Sequence, residues 1–401
     1  MRLRALRTAA RAWLPAAALA TILAAAGCAG PPAPALTPAL TPAPGPAALA
    51  LLGEQRIALR QPFRDTIVGG LSGIDYDARS GTWFLVSDDR SALGPARLYT
   101  ATMRYDANGF HALALDGVIV PRQADGTVFP GRRQWLEGRG EVPDFEAVRV
   151  DPQDGSLWLA TEGDCSLKED PAVIHVARDG RYLSRIAAPA MFAMCRQAGY
   201  GSRDNLTFEG LSFSHDGSSL WVAMEGPLQQ DGPEPARGHG AVARITEFAR
   251  DGRVLRQVAY PIDAIPAMPG QDVPANNGVT EILAVDAHRL LVLERAAMRQ
   301  PDGSFANDIR LYEMDLRGAS DIRDLPALAG ADYVPARKRL VSGLRKLALP
   351  RLDNLEGLAW GPKTGRGCAT LAMVSDDNFN PRQVMQVLAF DVLPDSGICP
   401  P

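Results

Sequence analysis

Short runs of Val, Ile, Leu and aromatic residues alternate with Asp-Gly and Asp-Gly-Ser punctuation along most of this chain, and long helical periodicity is scarce. Within that pattern one phrase returns five times: an acid or a serine opens an apolar strand, and a second apolar strand ends in another acid. The copies run GLSGIDYD to WFLVSDD (Ser72, Asp88), DFEAVRVD to LWLATEG (Glu146, Glu162), TFEGLSFS to LWVAMEG (Glu209, Glu225), VTEILAVD to LLVLER (Glu281, Glu294) and NLEGLAWG to LAMVSDD (Glu356, Asp376). The paired positions are 16, 16, 16, 13 and 20 residues apart, and the openings recur every 63 to 75 residues. Self-similarity at such a period marks a repeat architecture.

Each unit reads as four short strands. The second supplies AVRVD, SLWLATE, AVIHVARDG and RYLSRIAAP, and Gln153-Asp154-Gly155-Ser156 and His215-Asp216-Gly217-Ser218 give the positive-φ positions that tight hairpins need. Four-stranded units in series predict an all-β fold, a β-propeller. The fifth unit holds only three strands, whereas Glu54–Arg60 is an alternating strand with no unit of its own. If it completes the last blade, the ring closes with five blades and no open sheet edge. A sixth remains open if residues 90–140 or 300–350 hide a degenerate blade.

Strand direction turns the repeat into a positional statement. The first acid opens a strand and the second ends its antiparallel partner, so both lie at one end of the hairpin. All five pairs therefore gather on one face around the axis, with Asp144, Asn205, Asn276, Asn277, Asp353 and Asn354 crowding the approach. So many carboxylates cannot all stay ionised without partners. Arginine or lysine is at hand in Arg90, Arg203, Arg295 and Lys346, and a hard divalent ion such as Ca²⁺ suits the same oxygen ligands. On that reading Glu146, Glu209, Glu281 and Glu356 are ligands or a general base. Asp88, Glu162, Glu225, Glu294 and Asp376 flank them as metal ligands, and Arg203, Arg295, Asn205, Asn277 and Asn354 bind substrate. The alternative is that the acids bond backbone N–H groups of neighbouring blades and only fasten the ring.

The N-terminus carries Arg2, Arg4, Arg7 and Arg11, then an apolar run from Trp13 to Ala26 ending in Ala25-Ala26-Gly27-Cys28. This has the form of a lipoprotein signal over 1–27 with Cys28 as the acylated residue. Residues 28–49 form a Pro/Ala-rich tether, and the propeller domain spans 50–401. The mature chain is then exported and held to a membrane by lipid, on the periplasmic face of the outer membrane. Removing 1–27 strips four arginines and no acid, so formal charge moves from −4 to −8. A nucleic-acid partner would need a basic face instead. Cys165, Cys195, Cys368 and Cys399 remain, an even number that favours disulfides in an oxidising compartment, and the sequence-local pairing is Cys165–Cys195 with Cys368–Cys399.

Asn205 to Leu211, reading Asn-x-x-Phe-Glu-Gly-Leu, and Val374-Ser375-Asp376-Asp377-Asn378-Phe379 carry a family resemblance. With the repeats in order over about residues 65–393, the chain resembles the bacterial phytase-like domain described as "esterase-like activity of phytase". The resemblance implies a propeller and hydrolysis of a phosphoester or carboxylic ester, with a small anionic or ester substrate. Rival chemistries lack their marks: no G-x-S-x-G elbow, glycine-rich phosphate loop or H-E-x-x-H helix occurs, and the five histidines are scattered. A non-catalytic, ligand-binding or scaffold propeller stands as the other functional class.

Overall fold

Five antiparallel sheets of four strands follow one another along the chain. The computed structural model describes residues 48–135, 140–267 and 274–401. The signal segment, Cys28 and all but the last two residues of the tether lie outside the described residues. Blade I is built from Leu71–Asp77, Thr82–Ser87, Arg97–Asp106 and Gly109–Ile119, and blade II from Phe145–Val150, Leu157–Thr161, Ala172–Val176 and Tyr182–Ala187. Blade III comprises Phe208–Phe213, Ser219–Met224, Ala241–Ala249 and Val254–Ile262, and blade IV Ala275–Ala284, Arg289–Arg299, Phe305–Asp315 and Arg337–Gly343. Blade V has Leu355–Gly361, Ala369–Ser375 and Met385–Val392, and takes its outer strand from the other end of the chain.

That closing strand is Leu49–Ile57, paired antiparallel with Met385–Val392 from Leu49 opposite Val392 to Ile57 opposite Met385. It starts earlier and ends earlier than the alternation around Glu54–Arg60 indicates. The two stretches that might have hidden a sixth blade instead hold outer strands of blades I and IV, together with long loops. The ring therefore has five blades.

The innermost strands contact one another in order, with blade V returning to blade I. Each is covered by neighbours on both faces, which is why Phe145–Val150 and Phe208–Phe213 are buried at every position. Between blades the apolar side chains interleave: Leu283, Leu291 and Leu293 of blade IV pack with Leu358, Leu371 and Leu388 of blade V. Trp83, Trp158 and Trp221 are buried core residues. Disulfides join Cys165 to Cys195 and Cys368 to Cys399, as the sequence-local pairing requires. No helix among the described residues is long and apolar enough to cross a membrane.

One polar side chain closes the axis. Arg149 sits three residues beyond Glu146 on the innermost strand of blade II. It donates to the carbonyls of Ile74 (2.8 Å), Ile282 (3.1 Å) and Leu358 (3.0 Å), and so ties blades I, IV and V to blade II. Its counter-ion is Glu281, at 2.8 Å.

Candidate metal centre at the axial face

A β-bulge at the same place in every blade aims the ring side chains. On the innermost strands one residue is skipped in the pairing: Ser72, Glu146, Glu209, Thr280 and Glu356. A bulge of this kind leaves its extra residue unpaired and redirects its side chain. On the neighbouring strands the residue just past the last pair is Asp88, Glu162, Glu225 or Asp376; in blade IV the ladder runs on beyond the bulge, and the matching position is Arg295, paired with Gly278.

Blade IV thus departs from the glutamate-based alignment. Glu281 and Glu294 do not stand in the ring; Thr280 and Arg295 do. Glu281 turns to Arg149 and accepts Leu211 N–H at 2.9 Å, a fastening role between blades III and IV. Glu294 accepts the Tyr260 hydroxyl at 2.6 Å and pairs with Lys338 at 2.5 Å, locked between the same two blades. The pair spacing of 13 is the visible signal, since Thr280 to Arg295 gives 15, next to the 16 of blades I to III.

The ring opens into a cavity of about 570 Å³. Asp88, Glu146, Glu162 and Glu209 line one side; Arg295, Asn276, Arg299, Phe305, Asn354 and Asn378 line the other, with Glu356 and Asp376 also on the wall. Asp88, Asp144 and Glu146 bring one carboxylate oxygen each within 4.8 Å of one another, and so do Glu162, Glu209 and Glu225. Either triad has the all-oxygen donor set of a hard divalent cation. Among the described residues two guanidinium groups form ion pairs with these acids, while Arg299 lines the wall without an ion pair to them. Arg90 lies 2.5 Å from Asp144, and Arg295 lies 3.1 Å from Glu225 and 3.4 Å from Glu356.

Burial, followed by the neighbouring carboxylates, holds the acids of Asp88, Glu146, Glu162, Glu209 and Asp376 well above the usual carboxylate range. Burial raises Glu225 from 4.5 to about 7, although Arg295 pulls it down. Glu356 is raised for the same reasons. Glu162 accepts Thr207 N–H from blade III at 2.8 Å, and Asp376 accepts Asn378 N–H at 2.7 Å. Among the described residues no backbone N–H reaches the carboxylates of Glu146 or Glu209, so ring fastening does not account for them.

Two corners carry the rim. After Ser87-Asp88-Asp89 and after Ser375-Asp376-Asp377, two consecutive residues adopt positive φ: Arg90 (49°) and Ser91 (51°), then Asn378 (47°) and Phe379 (49°). The second aspartate of each corner is structural. Asp89 is bound by buried Arg97, and Asp377 accepts Gly70 N–H at 2.9 Å. Both corners return a polar side chain, Arg90 or Asn378, toward the acids.

Of the residues read as substrate-binding, Arg295, Asn205 and Asn354 line the cavity and two do not. Arg203 donates to the carbonyls of Pro227 and Gly232 and braces a blade III loop. Asn277 is buried against Glu294 and the Asp263 carbonyl, while its neighbour Asn276 lines the cavity. Lys346 is exposed on a short turn outside that lining. Arg299 and Phe305, which carried no sequence signal, do contribute. A further group, Asp151, Asp154 and His175, lies outside the ring, but Asp151 is taken by Arg250 and Trp158.

Fold and site together define a five-bladed propeller with a carboxylate-lined axial cavity. The chain belongs to the phytase-like family described as "esterase-like activity of phytase", whose profile matches residues 66–379. No curated protein matches it. Among solved structures it is similar to a Staphylococcus aureus phage tail fibre, at 13% identity and TM-score 0.35 over 86% of this chain and 54% of that one. The chain thus spans about half the length of that fibre. It is also similar to the catalytic domain of an α-L-arabinofuranosidase from Coprinopsis cinerea, at 10% identity and TM-score 0.41 over 86% and 97% of the two chains. A third likeness is to an α-L-arabinofuranosidase from Podospora anserina, at 9% identity and TM-score 0.39 over 83% and 94%.

Proposed function

We propose that the protein is a cation-dependent hydrolase of a phosphoester or simple ester, working in the axial cavity. The observation that carries this reading is the imbalance of the ring. Asp88, Asp144, Glu146, Glu162, Glu209, Glu225, Glu356 and Asp376 face three guanidinium groups among the described residues, Arg90, Arg295 and Arg299, and no backbone N–H among them reaches Glu146 or Glu209. A divalent cation such as Ca²⁺, held by Glu162, Glu209 and Glu225 or by Asp88, Asp144 and Glu146, supplies Lewis-acid polarisation of an ester oxygen. Glu146, with its proton affinity raised by burial, moves a proton between water and the leaving oxygen. Arg295 and Arg299 attract the substrate anion, while Asn276 and Asn354 orient it.

The test is hydrolysis of p-nitrophenyl phosphate and p-nitrophenyl acetate with and without chelator. Glu209→Gln is expected to lower turnover by about 100-fold or more, the usual scale for losing a group acting in the transition state, while melting stays near the parent value. Glu281→Gln is expected to lower melting instead. Hydrolysis of neither ester, with or without calcium, would leave the non-catalytic propeller as the reading.

The proposal includes export and lipid attachment at Cys28, which the two disulfides support because such bonds persist in oxidising compartments. Labelled palmitate is expected to enter the full chain in cells and to be absent from Cys28→Ala. Equal labelling of both would remove the anchor from the proposal.

A further inference from the structure

At the end of blade II away from the ring, four side chains form an unbroken hydrogen-bonded row. Ser156 Oγ lies 2.5 Å from Asp154 Oδ1 and 2.7 Å from His175 Nε2, and His175 Nδ1 lies 3.2 Å from Ser184 Oγ. Ser156 and Glu162 flank the strand Leu157–Thr161 at its two ends, so the row stands roughly 20 Å from the axial acids at about 3.3 Å per residue. The sheet itself assembles the row. His175 is the cross-strand partner of Trp158 on one side and of Ser184 on the other, so the three side chains share a face. The Trp158 indole lies flat on the imidazole, 4.0 Å between centroids and 11° between planes, and fixes its orientation.

The donors and acceptors leave one proton arrangement. A carboxylate only accepts, so Ser156 donates its single hydroxyl proton to Asp154. Ser156 Oγ can then only accept from the imidazole, which places the ring proton on Nε2. A neutral imidazole carries one N–H, so Nδ1 is bare and receives the Ser184 hydroxyl proton. Burial lowers the His175 pKa, although Asp154 and Asp151 pull it up, and the ring is neutral at about pH 7. A serine hydroxyl donating to a bare histidine nitrogen, with the other nitrogen anchored toward a carboxylate, is the arrangement that activates a nucleophile, recognised by geometry and not by sequence order.

Ser184 is half-buried on Tyr182–Ala187, the outermost strand of its sheet. Beside it Leu183 is skipped in the pairing and 37% exposed, a bulge that interrupts the ladder next to the hydroxyl. The outer edge of that strand carries no ladder, so its backbone N–H groups are donors for a developing oxyanion. We propose that Ser184 and His175 form a second, metal-independent site that cleaves activated carboxylic esters. Ser184 Oγ bonds to the ester carbonyl carbon while His175 Nδ1 takes its proton, and the carbon–oxygen bond to the leaving group breaks. The departing oxygen takes the proton from Nδ1. Water then attacks the acyl-serine, giving one proton to Nδ1 that returns to Ser184 Oγ as the acid is released. Ser156 and Asp154 hold the imidazole in the tautomer this requires. The site is independent of the cation reading of the axial cavity.

The measurement is cleavage of p-nitrophenyl acetate by the full chain in excess chelator, with the acetylated residue located by mass spectrometry of acid-quenched protein. The parent is expected to turn the ester over and to carry acetyl on Ser184. Ser184→Ala and His175→Gln are each expected to lower the chelator-resistant rate by about 100-fold or more, the scale of a positioned general base, and Ser184→Ala to lose the adduct. Circular dichroism checks the fold of each variant. Should His175→Gln fail to fold, Ser184→Ala decides, since it removes one oxygen from a half-buried position. No cleavage by the parent in chelator, an equal rate in Ser184→Ala, or acetyl found only on other side chains overturns the site. Chelator-sensitive hydrolysis that survives any of these outcomes belongs to the axial cavity, which keeps the two readings separate.

Discussion

Stripped of divalent cations, the protein is expected to melt at steadily lower temperature as pH rises from about 5 to about 8, the reverse of ordinary acid destabilisation. The sign follows from the ring. Its carboxyl groups have folded-state pKa values raised by burial, so the folded protein binds more protons than the unfolded chain over this window. Their stabilising contribution is complete below the unfolded value near 4.5 and is lost as pH rises through the folded value, which for Glu225 is about 7. For Glu225 alone that difference corresponds to on the order of 3 kcal/mol, several degrees in melting temperature for a chain of this size. Calcium is expected to restore melting near pH 8, about where the protons have left, and to do little near pH 5, about where they still neutralise the ring. A melting temperature flat across the window, or unmoved by calcium at the alkaline end, would show that the ring is neutralised by protein groups alone.

The blades were legible because their signals are local. Alternation with period two, Asp-Gly turns and a recurring acid are properties of a few residues each, and a bulge repeated at one register brings the ring acids of four blades to one face. Blade IV was misread by one residue because the alignment followed glutamate instead of the backbone. In the other four blades the residue after the bulge is Gly73, Ala147, Gly210 or Gly357, small because inner strands crowd one another near the axis. A Cβ on Gly210 would stand 2.9 Å from Ile282 N, and one on Gly357 2.8 Å from the Ser72 carbonyl oxygen. In blade IV that position is Glu281, which escapes the crowding only by reaching toward Arg149. The same register decides between Asn276 and Asn277, neighbours on one strand whose side chains point to opposite faces. Arg203 had no such signal: its fate is set by the Pro227 and Gly232 carbonyls of a loop whose course sequence alone does not give.

Arg149→Met is expected to be the most damaging single change away from the cavity. The arginine lies on the inner strand Phe145–Val150, three residues beyond the ring acid Glu146, and its side chain is 3% exposed. Methionine matches much of its length but leaves Glu281 buried with no cation, and drops bonds to three other blades. Removing one partner of a buried pair costs about 3–5 kcal/mol, because the remaining charge is stranded. The cost lies in that stranded charge as much as in the lost bonds. Arg149→Met/Glu281→Leu is therefore expected to recover a large part of the loss, giving a strong coupling in a double-mutant cycle by urea denaturation. The cation triads lie on the ring above this plug, so folded Arg149→Met should still bind calcium like the parent. If Arg149→Met unfolds at the parental urea midpoint, or if the double variant is no better than the sum of the singles, the axial pair does not hold the blades together.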